Sequence, residues 1–207
     1  MYTNFHSKML DYTFILDASG SMENKIHEVR TELNRQLKEL KKAHKALGRP
    51  CYITINSFDT IHKTLRLSIP IGKVKMVSAN EYSSGGLTAL YDAIGSAIIG
   101  AKSRSGKETK KGTREILIVI FTDGMENASQ QYTGSHIQKL LEKYQNKSGW
   151  SIALVGTSMS AIQDMASKSF NTGALTFFDD EDTNRAMFKI TQKVCSYYKH
   201  EDNEFII

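Results

Sequence analysis

The sequence predicts a doubly wound α/β domain: a mostly parallel, six-stranded, Rossmann-like sheet of order 3-2-1-4-5-6, its third strand an antiparallel edge and its helices on both faces. Three observations carry this. Short β-rich runs alternate with stretches of helical apolar spacing, the pattern of a parallel sheet covered by helices. Two runs, Tyr12–Leu16 and Ile116–Phe121, are apolar without interruption, as strands buried on both faces are. Finally, 207 residues with 2 prolines, no low-complexity tract and no internal repeat leave no linker at which to divide the chain.

Taken in order, residues 1–10 read as an arm, 11–199 as the domain and 200–207 as a tail. After the strand Tyr12–Leu16, apolar residues at Met22, Ile26, Val29, Leu33, Leu37, Leu40 and Leu47 form one helical stripe, closed by Gly48 as a C-cap. Tyr52–Phe58 is a second strand. Lys63–Ile69 alternates and is bounded by Pro70, which suits an edge strand reached through a hairpin at Asp59-Thr60. The loop Ser83-Ser84-Gly85-Gly86 leads to a helix from Thr88 with apolar positions Leu90, Ile94, Ala97 and Ile98. Residues 103–113 read as a polar connection. Ile116–Phe121 is the most apolar strand and ends in Thr122-Asp123-Gly124. A helix over Ser135–Gln145, a strand over Ser151–Val155, a helix over Met159–Lys168, a strand over Ala174–Phe178 and a helix over Thr183–Tyr198 complete the chain.

Composition limits the function. Hydrophobic residues make up 40% of the chain and charged residues 24%, which supports a real core and excludes disorder as the default. The net charge of +5 is spread along helix and loop positions and reads as solvated surface rather than a nucleic-acid face. Cys51 and Cys195 lie in apolar contexts without C-x-x-C spacing, so free buried thiols are expected. The six histidines, His6, His27, His44, His62, His136 and His200, lack metal-ligand spacing and read as surface residues. No signal sequence and no run of 18 apolar residues is present, so a cytoplasmic protein with no membrane contact is the expectation.

The chemistry gathers at the strand-to-helix turn Asp17-Ala18-Ser19-Gly20-Ser21, where oxygen-bearing side chains recur at every second residue. In a doubly wound sheet the first and fourth strands are neighbours at the switch point, and ligands bind beyond their C-terminal ends. That topology sets Asp17 beside Asp123, with Thr88 nearby behind the Gly85-Gly86 turn. Two adjacent carboxylates repel unless a cation sits between them, and an all-oxygen donor set suits Mg2+ or Mn2+ rather than zinc. Ser21 and Thr88 each have a second reading as helix caps, and Asp123-Gly124 as a plain turn. Asp92 reads as solvent-facing or a local cap, and Glu126 and Asn127 as possible lining of the rim.

These three segments resemble the metal-ion-dependent adhesion site of the von Willebrand factor A domain, over about residues 11–199. Phe121-Thr122-Asp123-Gly124-Met125-Glu126-Asn127 and Gly86-Leu87-Thr88-Ala89-Leu90-Tyr91-Asp92-Ala93-Ile94 are most similar to stand-alone intracellular bacterial members. The resemblance implies a metal bound directly by Ser19, Ser21 and Thr88, and through water by Asp17 and Asp123. It further implies a sixth position that takes an Asp or Glu carboxylate from a protein partner, and no catalysis. The last helix, Thr183–Tyr198, is the element that such proteins couple to the site.

The alternative is a Mg2+-dependent phosphatase or phosphotransferase with Asp17 as nucleophile. Enzymes of the haloacid dehalogenase type carry a second Asp two residues on as the acid; here Ser19 stands there and supplies no proton at neutral pH. A P-loop is excluded as well. The segment Gly100–Glu108 has the wrong spacing, lacks the Ser/Thr for Mg2+ and follows a helix. The acidic-then-apolar stretch Glu201–Ile207 reads as a disordered tail or a docking peptide.

Overall fold

Alternating side chains divide the central strands between two cores. The computed structural model describes residues 8–156, 175–177 and 183–201. Strand β1 (Met9–Asp17) sits between β2 (Cys51–Phe58) and β4 (Arg114–Thr122), parallel to both. Leu10, Tyr12, Phe14 and Leu16 of β1 pack with Leu117, Val119 and Phe121 of β4 in one core, while Ile15, Ile116, Ile118 and Ile120 enter the other. The first core is closed by α1 (Ile26–Leu47) and α4 (Thr183–Lys199), the second by α2 (Leu90–Lys110) and α3 (Gly134–Gln145). The expected two-faced arrangement is present.

The body of the sheet is five strands in the order β3-β2-β1-β4-β5, with β3 (His62–Pro70) the antiparallel edge and β5 (Trp150–Gly156) parallel to β4. Among the described residues a short parallel strand, β6 (Leu175–Phe177), pairs with β5 and extends the order to β3-β2-β1-β4-β5-β6. Strand β1 starts at Met9, so two residues assigned to the arm belong to the sheet. The helix expected over Met159–Lys168, His6 and the tail beyond Glu201 lie outside the described residues.

Helix α1 ends as expected: Gly48 adopts φ 68° and its N–H bonds to the His44 carbonyl. Its stripe holds from Met22 to Leu40 and differs at the edges. Leu47 is 54% exposed, while Gln36 is fully buried and accepts a hydrogen bond from the Tyr12 hydroxyl at 2.8 Å. His44 is not a free surface residue either; its Nδ1 lies 2.9 Å from the Arg49 carbonyl and 3.2 Å from the Tyr198 hydroxyl. His62 is half-buried. Both cysteines are free, Cys51 buried and Cys195 half-buried. Burial pushes their thiols up to about 12 and about 11, so neither carries appreciable thiolate at neutral pH.

The largest departure is α2, which runs through Lys110 instead of stopping before the expected connection at 103–113. Ala101, Ser105 and Thr109 recur at helical spacing and are all buried. What they face is polar. The Asp11 side chain of β1 is fully buried and accepts a hydrogen bond from the Ser105 hydroxyl, to which Arg114 Nη1 donates at 2.8 Å. Arg104 donates to Thr13 at 3.3 Å beside them. Helical periodicity persists here, but small hydroxylated residues carry it instead of aliphatic ones.

Candidate metal centre

At the C-terminal ends of β1 and β4, five predicted site residues meet. Ser19 N–H donates to Asp17 Oδ1 at 2.8 Å, which curls the loop after β1 so that the Ser19 and Ser21 hydroxyls lie 3.1 Å apart. Ser21 then donates across to Asp123 Oδ1 at 2.7 Å. The loop before α2 is clamped alongside: Gly20 N–H bonds to the Gly86 carbonyl at 3.1 Å and Gly85 N–H to the Ala18 carbonyl at 2.8 Å. Gly86 has φ 71°, and a Cβ there would come 2.7 Å from Thr60 Oγ1. The turn therefore requires glycine.

Gly124 shows where the oxygens converge. A Cβ at this position would stand 3.0 Å from Thr88 Oγ1, 3.4 Å from Ser21 Oγ and 3.5 Å from Asp17 Oδ2. Three loops thus present oxygens toward one small space that only a residue without a side chain leaves open.

The capping alternative does not hold. The N-cap position of α1 is Lys25 and that of α2 is Ala89, neither with a side-chain cap, so Ser21 and Thr88 are not used there. The N-terminus of α2 is satisfied from another loop: Glu126 Oε2 accepts from Tyr91 N–H at 2.9 Å, and Ser129 Oγ from Asp92 N–H at 3.0 Å. Glu126 and Asn127 are supports rather than rim ligands. Asn127 Oδ1 accepts from Thr88 N–H at 2.8 Å, and its own N–H donates to the Thr88 carbonyl at 3.0 Å. Asp92 accepts from the backbone N–H groups of Gln130, Gln131 and Tyr132 at 2.8–2.9 Å, tying down a distant loop instead of capping locally.

Three supporting residues escaped the sequence reading. Thr122 donates to Asp17 Oδ2 at 2.6 Å, and the Tyr82 hydroxyl donates to the Asp17 carbonyl. Lys25 Nζ lies 3.1 Å from Asp123 Oδ2. Thr122 adjoins Asp123 and Lys25 lies one helical turn past Ser21, so sequence proximity offered a signal for both; Tyr82 offered none.

The donor set fits a hard divalent cation. It is all oxygen, and among the described residues no cluster of three or more His, Cys, Asp or Glu offers a competing site. The Lys25 ammonium lies 3.1 Å from Asp123 Oδ2, so a bound cation would share that carboxylate with it. Burial pushes the Asp17 carboxyl above its ordinary range; hydrogen bonds from Ser19 and Thr122 oppose this, and the Asp123 charge adds to it. The sign follows from linkage. A carboxyl with a raised folded pKa binds more protons folded than unfolded, so stability falls as pH rises from the ordinary carboxylate value through the raised one. In EDTA, Asp17→Asn is expected to flatten that fall in denaturant unfolding measured at several pH values. An unchanged slope would assign the titration to other groups.

Comparison with known proteins decides the fold. No family model and no curated protein matches the sequence. Among solved structures, it is similar to the PilB minor pilin of Streptococcus sanguinis at 12% identity and TM-score 0.68, covering 95% of this chain and 63% of the pilin. It is similar to a von Willebrand factor type A protein from Catenulispora acidiphila at 11% identity and TM-score 0.60, covering 92% and 43%. The fold is that of a von Willebrand factor A domain. A third similar structure, proximal thread matrix protein 1 from the mussel byssus, has a zinc-occupied MIDAS motif; identity is 16%, TM-score 0.57 and coverage 92% and 46%. The chain spans less than two thirds of each of these proteins.

Proposed function

We propose that this A domain is a protein-interaction module that binds a partner's Asp or Glu carboxylate through Mg2+ or Mn2+. The observation that carries the reading is the convergence of Asp17, Ser19, Ser21, Thr88 and Asp123 around the space left open by Gly124. Ser19, Ser21 and Thr88 would hold the ion directly, and Asp17 and Asp123 through water. A bound ion with mostly neutral ligands supplies a Lewis-acidic position for an added carboxylate. The chain's own part is to fix the hydroxyls. Asn127 locks Thr88, and Thr122 with Ser19 N–H orients Asp17.

The surroundings favour a protein partner. Ile61, Leu87 and Met125 are 64%, 54% and 48% exposed on the loops around the site, and Leu87 is held by its N–H on Thr60 Oγ1. Exposed bulky apolar side chains around a polar centre are the composition of an interface core. Asp17 is a poor nucleophile by contrast, being fully buried with both carboxylate oxygens engaged, which weighs against phosphoryl transfer. Among the described residues no helix is long and apolar enough to cross a membrane. A cytoplasmic, bacterial setting is proposed from the motif resemblance.

Titration calorimetry with Mn2+, with and without N-acetyl-glutamate as a stand-in carboxylate, tests the reading. Binding is expected to tighten when the carboxylate is present, because coupling between two ligands is reciprocal. Leu87→Ser should leave Mn2+ binding intact while weakening capture of a partner. Absence of Mn2+ binding in both titrations would sink the proposal.

A further inference from the structure

On the sheet face away from α1 and α4, helix α3 presents two neighbouring stripes. Ile137, Leu141 and Tyr144 are buried and seat it on the sheet. His136, Lys139, Leu140 and Lys143 recur at the same spacing on the adjoining side and face α2. Between the helices lies a groove of about 580 Å³ floored by Ile99, Tyr132 and Leu140, within the range of about 300–1,000 Å³ in which ligand sites fall. Ile99 is 41% exposed, a large aliphatic residue that the fold leaves uncovered.

The groove is preformed. The Tyr132 ring lies directly on Gly95, where an added Cβ would come 2.7 Å from the ring, and Tyr132 N–H is held by Asp92 at 2.8 Å. A wall fixed in this way loses little freedom when an occupant arrives. Its charge is one-sided as well. On α1, by comparison, Arg35 and Lys42 each have a carboxylate one turn away, Glu32 at 2.5 Å and Glu39 at 2.7 Å. Along the groove no carboxylate is present, and neither Lys139 nor Lys143 pairs with one among the described residues. Glu142, the near candidate, takes a hydrogen bond from Gln138.

We propose that the α2–α3 groove docks an acidic peptide segment of a partner protein, which inserts bulky apolar side chains over Ile99, Tyr132 and Leu140 and sets carboxylates against Lys139 and Lys143. An apolar floor beside a cationic edge matches an amphipathic acidic segment. A nucleic acid would instead call for a wider basic track. The groove is separate from the metal centre, so the two sites stand or fall independently.

The test is an NMR titration of the isotope-labelled full chain in EDTA with the capped peptide Asp-Glu-Phe-Glu-Leu-Leu-Asp, which joins four acidic residues to three bulky apolar ones and matches no segment of the chain. Saturable amide shifts are expected at Ile99 and across 131–143. Lys139→Glu combined with Lys143→Glu should weaken binding about tenfold or more while leaving the thermal midpoint and the Mn2+ response unchanged. Ile99→Asp, at an exposed position, gives a second variant that should fold normally and bind weakly. No saturable shift, shifts confined to the α1–α4 face or the metal loops, unchanged affinity in both variants, or equal binding of a short single-stranded oligonucleotide would each overturn the proposal.

Discussion

Replacing Arg49 with methionine is expected to destabilise the fold by about 3–5 kcal/mol, the cost of removing one partner from a buried ionic network. Arg49 is 1% exposed in the turn between α1 and β2. Its Nε donates to the Lys8 carbonyl at 2.8 Å, Nη1 to the carbonyls of Tyr197 and Tyr198 at 3.0 and 2.7 Å, and Nη2 to Glu115 at 2.7 Å. The two tyrosine carbonyls lie in the last turn of α4, where helical donors run out; Tyr197 also accepts from His200 N–H at 3.2 Å. Tyr198 closes the circuit by donating its hydroxyl to the Arg49 carbonyl at 2.6 Å. Methionine keeps most of the stem but loses four hydrogen bonds, with only Tyr197 (His200 N–H) and Glu115 (Lys8 Nζ at 3.4 Å) keeping another donor among the described residues. Lysine keeps the charge but lacks the planar fork, so an intermediate loss is expected. Denaturant unfolding measures both variants, and a loss below about 1 kcal/mol for methionine would show that water replaces the network.

Asp123→Ala is expected to abolish stabilisation by divalent cations. A ligand that binds only the folded state at a hundredfold excess over its dissociation constant adds about 2.7 kcal/mol. Asp123 is 8% exposed and is the carboxylate that reaches Ser21 from the β4 side. Alanine removes that charge together with the partner of Lys25. Thermal unfolding in EDTA, Mg2+ and Mn2+ should show a metal-dependent rise in the wild type and none in the variant. A rise of equal size in both would place the ion elsewhere. A wild-type midpoint that stays flat even with N-acetyl-glutamate present would mean that the converged hydroxyls form a hydrogen-bonded cluster and not a metal site.

The meeting of the two carboxylates was legible once a strand order was assumed. In a doubly wound sheet of order 3-2-1-4-5-6, β1 and β4 lie side by side, which brings the loops carrying Asp17 and Asp123 to one sheet edge. Loop supports were less visible. Glu126, Asn127 and Asp92 serve backbone groups 35 to 40 residues away in sequence, and nothing local to them reveals the partner. The same holds for Ser21 and Thr88. Near a helix start a hydroxyl reads as a cap, and only the fold shows that the helix is capped from elsewhere.

Periodicity and chain order by themselves determined the α/β class and the antiparallel edge, and with the doubly wound order assumed they brought the oxygen-bearing loops together. These depend on patterns repeated over many positions, which single exceptions do not disturb. Only the tertiary structure decided that α2 continues to Lys110 over the buried Asp11, that Arg49 is an interior residue, and that Leu47 is exposed while Gln36 is buried. The physical reason is common to all four. A polar side chain enters a core when distant groups satisfy it, and an apolar one stays outside when nothing arrives to cover it; neither outcome is encoded next to the residue concerned.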